Sequence, residues 1–103
     1  MKPHLLIFLT LFSASSIAID DAERNPIAKK IKQRVVKELS KQQLDGYCDL
    51  FIEFSHDDRY AKVKKVRGTG DHKICKVGKK AIKRGQRFKY QQPEKYIRIH
   101  VTS

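Results

Sequence analysis

Residues 47–54, Tyr47-Cys48-Asp49-Leu50-Phe51-Ile52-Glu53-Phe54, alternate strictly along the chain. Cys48, Leu50, Ile52 and Phe54 share one side; Asp49 and Glu53 share the other. A period of two marks a strand with one buried face and one wet face. His56-Asp57-Asp58-Arg59 then reads as a turn. Residues 60–67 form a second strand, rich in lysine, with Ala61, Val63 and Val66 as its apolar members. Together the two runs predict a β-hairpin.

Upstream lies a helix. Asn25 can cap it and Pro26 suits its first position. Ile27, Ile31, Val35 and Leu39 recur every fourth residue with Val36 beside them, while Lys29, Lys30, Lys32, Arg34 and Lys37 fill the other side. This is an amphipathic helix of about four turns, expected to end near Gln43 with Asp45-Gly46 as its stop. Downstream, Gly68-Thr69-Gly70 is expected to break the second strand, and Asp71 to cap a second helix. Ile74, Cys75, Gly78, Ala81 and Ile82 fall within an arc of about 120°. Lys76, Lys79, Lys80, Lys83 and Arg84 fall opposite, and Gly85 is the expected C-cap. A polar connector over residues 86–93 leads to a third strand, where Ile97, Ile99 and Val101 alternate with Arg98 and His100.

The order α-β-β-α-β predicts an α+β domain of two layers. Two helices cover the apolar face of a three-stranded antiparallel sheet in the order 2-1-3. The third strand, Tyr96, Ile97, Arg98, Ile99, His100 and Val101, then becomes an exposed edge. The second strand lies at the other edge, where Lys62, Lys64, Lys65 and Arg67 make it a poorer template for pairing.

A chain of 103 residues allows one domain. Its net charge of +12 and hydrophobic fraction of 40% exclude neither order nor solubility, because the apolar residues are patterned. An enzyme with a deep cleft fits poorly in this length, and a small binding module fits well. Residues 1–18, MKPHLLIFLTLFSASSIA, read as a secretory signal peptide: one Lys, a short apolar run, then small residues before a cut after Ala18. The apolar run is too short for a spanning helix of about 20 residues. Residues 19–26 are expected to be a flexible acidic lead-in, and residues 27–103 the domain. Loss of Lys2 leaves 22 basic against 11 acidic side chains, so the exported charge is +11. Two cysteines in an oxidising compartment favour one disulfide, Cys48 with Cys75, since both point inward. Two buried thiols or a partial metal site are the alternatives. The bond would contribute roughly 3.5 kcal/mol by restricting the unfolded chain.

The helix, the Tyr47-Cys48-Asp49-Leu50-Phe51-Ile52 strand, the Asp58-Arg59 turn, the basic strand, Gly70-Asp71-His72-Lys73-Ile74-Cys75 and the final Tyr-bearing strand resemble the C-terminal domain of TolA. That domain is the periplasmic end of a bacterial cell-envelope protein. The resemblance spans about residues 27–102. It implies a disulfide between the equivalent cysteines and a non-enzymatic, periplasmic module. It also implies partners: Tol-Pal components, colicin translocation domains and phage attachment proteins, bound in part by adding a strand to the sheet. The family's membrane helix and long stem have no counterpart in this sequence, and its proline-rich connector is reduced to Pro93. A stemless copy could act as a decoy or competitor for Tol-dependent proteins.

Other chemistry finds less support. A metal needs three or four converging ligands, and His56, His72 and His100 bring no complete set. Ser40, Ser55 and Ser103 have no visible base, so nucleophilic catalysis is not indicated, and no cofactor or small-molecule substrate is implied. Asp49, Glu53, Asp57 and Asp58 read as solvated charge. Gly68-Thr69-Gly70 lacks the length and ending of a phosphate loop. The main rival signal is the basic face, Lys76, Lys79, Lys80, Lys83, Arg84 and Arg87, suited to an anionic envelope surface. Phe88 and Tyr90 are too sparse for base stacking, and export argues against nucleic acid.

Overall fold

The computed structural model describes residues 20–103; the proposed signal peptide lies outside them. After a 3-10 turn at Asp21–Glu23 come helix α1 (Pro26–Leu39), strands β1 (Tyr47–His56) and β2 (Tyr60–Gly70), helix α2 (His72–Ala81), and strands β3 (Arg87–Lys89) and β4 (Tyr96–Thr102). The sheet is antiparallel throughout and ordered β3-β2-β1-β4. The architecture is α+β, with both helices packed on one face of the sheet.

Asn25 caps α1 by accepting from the N–H groups of Ile27 (2.8 Å) and Ala28 (3.1 Å). Ile27, Ile31, Val35 and Leu39 are buried as their spacing requires, but Val36 is 43% exposed. The helix ends at Leu39, not near Gln43. Beyond Leu39 the residues Ser40, Lys41, Gln42 and Gln43 offer nothing apolar to bury, and the Ser40 hydroxyl donates to the Lys37 carbonyl at 2.7 Å, closing the last turn. Asp71 caps α2 through the N–H groups of Lys73 and Ile74. That helix ends at Ala81, with buried Ile82 as its C-cap in place of Gly85.

Three expectations about the sheet need correction. It has four strands, not three in the order 2-1-3. The additional strand, β3, comes from the polar connector and pairs Arg87, Phe88 and Lys89 with Lys62, Ala61 and Tyr60. It therefore covers the start of β2, which is not a free edge there. Nor do the glycines break β2: it runs to Gly70, opposite Cys48. The reason is the disulfide, which joins Cys48 to Cys75 across 27 positions. A Cβ on Gly68 would sit 3.0 Å from both Sγ atoms, so a residue without one lets the strand pass the bond.

A bulge lies between Glu53 and Phe54. It shifts β2 by one residue, so that Ala61 and Val63 point into the core and Val66 still packs against it after an interval of three. The core is one cluster in which α1, α2 and the inward side chains of β1 and β4 meet; Leu50, Ile52, Ile74 and Ile99 have no exposed surface.

Candidate functional site

β4 ends the sheet, paired on its inner side to β1 from Tyr47↔Thr102 to Glu53↔Tyr96. Its alternation anchors it. Ile97, Ile99 and Val101 are buried, whereas Arg98 and His100 stand half-buried on the face away from the helices. There Asp49 of β1 holds both: its carboxylate lies 2.8 Å from His100 Nδ1 and 3.4 Å from the Arg98 guanidinium. Tyr47 stacks on the His100 ring at 5.5 Å. Glu53 meets Lys64 at 3.7 Å. Asp49 and Glu53, expected as solvated charge, are therefore paired. Asp57 is also structural: its carboxylate accepts from the N–H groups of Arg59 and Tyr60 and shapes the hairpin turn. Those amides hold it below the ordinary carboxyl value.

With those side chains anchored, β4 can offer a partner its backbone edge and exposed Tyr96. In an antiparallel pair, alternate N–H groups point away from the neighbour. The Arg98 N–H does so and meets Asp21 Oδ2 at 2.8 Å. The adjacent Asp20 accepts from the Ala22 N–H at 3.1 Å and pairs with Lys32 of α1. The part of the expected flexible lead-in that lies within the described residues thus contains a 3-10 turn, Asp21–Glu23, docked along β4. These contacts of Asp20 and Asp21 were missed at the sequence level. The signal was adjacent acids just ahead of a helix in an otherwise basic chain.

Partial burial works to raise the pKa of Asp20. The hydrogen bond and charge of Lys32, together with the N–H groups of Ala22 and His100, outweigh it and hold the carboxyl below its ordinary 3.8. A carboxyl depressed by folding contributes stability above its unfolded value and loses it as pH falls through the lowered one. The docked turn should therefore persist at pH 4 and release only at more acid pH. Following the His100 amide resonance, which reports on Asp20, through an acid titration tests this; a midpoint at or above 3.8 would contradict it.

The expected basic face divides. Lys76, Lys79 and Lys80 are exposed on α2, and Lys83 and Arg84 follow in the turn after it. Arg87 is elsewhere, on β3, with its guanidinium 4.4 Å above the Tyr60 ring. Exposed Lys29, Lys30 and Lys37 on α1 extend the charge across the helical layer. Among the described residues, no group of three or more His, Cys, Asp or Glu is placed to hold a metal, and no helix is long and apolar enough to cross a membrane. No protein-family model, curated protein or solved structure matches this chain.

Proposed function

We propose that this is a periplasmic protein-recognition module, without catalytic activity, resembling the TolA C-terminal domain. Its partners are Tol-Pal components, colicin translocation domains or phage attachment proteins, and it serves as a decoy or competitor for them. The observation that carries this reading is β4's place at the end of the sheet, with its side chains anchored and its outward Arg98 N–H met by Asp21 of the chain's own lead-in rather than by a strand. Once that turn is displaced, such an edge is a template for an added strand.

Purified protein should capture these partners from periplasmic extract, and capture should survive a few hundred millimolar salt. His100→Pro should abolish it. That change removes an outward donor while leaving the inner ladder in place, and proline is tolerated at that side of an edge strand. A folded variant that still captured the partners would sink the reading.

The exposed lysines of both helices favour a second reading, a secreted cationic protein that binds anionic envelope surfaces. Salt separates the two. Binding to anionic vesicles should collapse with rising ionic strength, since screening acts within about 10 Å at 0.1 M.

A further inference from the structure

The outer edge of β4 already has an occupant, and its chemistry is informative. A plain added strand would present carbonyl oxygens to outward N–H groups. Here carboxylates take that place: Asp21 Oδ2 receives the Arg98 N–H at 2.8 Å, and Asp20 pairs with Lys32. Hydrogen bonds to an ionised acceptor are roughly twice as strong as neutral ones. Lys32 stands one helical turn along α1 from Ala28 and is only partly covered, so its ammonium borders the edge from the helical side. Donors from a strand and a cation from a helix therefore converge on two consecutive acidic residues. The surrounding chain is strongly basic, which favours an acidic ligand at longer range.

We propose that the outer edge of β4, together with Lys32, is a recognition site for an acidic peptide segment of a partner protein, and that Asp20-Asp21 of the chain itself is its resident occupant. This rests on β4 being the recognition edge and specifies what that edge selects. A ligand must present two adjacent carboxylates and must displace the chain's own turn. The lead-in thus sets a threshold that uncharged or basic strands do not pass.

The test uses the whole exported chain, a variant carrying Asp20→Ala and Asp21→Ala, and a synthetic peptide copying residues 19–24. In the variant, the Arg98 and His100 amide resonances should move away from their native positions. Adding the peptide at 0.3 M salt should return them. The variant should bind the peptide about tenfold more tightly than the native chain does, the effect of one charge-assisted contact freed from internal competition. A peptide with Asn at both Asp positions should not bind. If the native peptide fails to restore the amides, or a peptide of equal charge with separated acids restores them equally well, the proposal is overturned. Should the double variant not fold, Asp21→Asn alone gives the same amide readout. Peptide rescue without capture of any envelope protein would leave the acidic site standing and remove the proposed partners. Capture that is equal for native and variant chains, with no peptide rescue, would do the reverse.

Discussion

Replacing both Cys48 and Cys75 with Ser is expected to lower the unfolding free energy by roughly 3.5 kcal/mol or more. The bond closes a loop of 27 positions that contains the hairpin and the start of α2, so its loss frees a large part of the unfolded chain. The folded state suffers as well. Cys48 has no exposed surface and Cys75 only 6%, so the two hydroxyls must find partners in an apolar cluster or remain unsatisfied. A small domain has about 5–15 kcal/mol of net stability in total. The serine variant should accordingly unfold at much lower denaturant concentration than the native chain. Urea titrations of the two, followed by far-UV circular dichroism, measure the difference. A loss below about 1 kcal/mol would mean that core packing alone holds the helix to the sheet.

Gly70→Ala is expected to be the most damaging single glycine change, at about 3 kcal/mol. Gly70 has φ +134°, and a Cβ there would lie 2.6 Å from the Tyr47 carbonyl oxygen and 3.0 Å from Cys48 Cα. Both obstacles are backbone atoms of β1 and cannot swing aside. The same carbonyl accepts the Asp71 N–H at 2.8 Å, the bond that leads the chain from β2 into α2. A methyl group here therefore disturbs strand pairing and the helix start together. Gly85 provides the control. It also has positive φ, +84°, but nothing lies within 4 Å of the position its Cβ would take. Gly85→Ala should cost only the conformational part, about 1 kcal/mol. Thermal melts of the two variants should separate clearly, and near-equal losses would show that the contact with β1 is not the cause.

The parts of the fold that were legible in the sequence are those where one side of an element is buried along its whole length. The alternation of Cys48, Leu50, Ile52 and Phe54 and the fourfold spacing in α1 are both met by burial. β3 was not legible because three residues with one apolar member, Phe88, have no period to read; β3 exists because Tyr60–Lys62 stand ready to pair with it. The end of β2 was misread because glycine usually interrupts a strand, whereas here the sulfur atoms behind Gly68 demand it. The bulge was written in the interval from Val63 to Val66, three residues where two would keep phase, but one irregular interval does not announce itself. At the candidate site, β4 followed from alternation. The carboxylate over Arg98 comes from 77 positions away, and no local pattern reports such a contact.

The placement of lysine has a consequence for diffusion. Cations cover the outer side of both helices, and Lys62, Lys64, Lys65, Arg67, Arg87 and Lys89 are exposed along β2 and β3 as well, while Asp49 and Glu53 are neutralised within the sheet. Positive charge is therefore spread over both layers, and a negatively charged surface attracts the whole molecule without selecting one of its faces. On the reading proposed above, that attraction converts a three-dimensional search for a partner strand into lateral encounters along the surface.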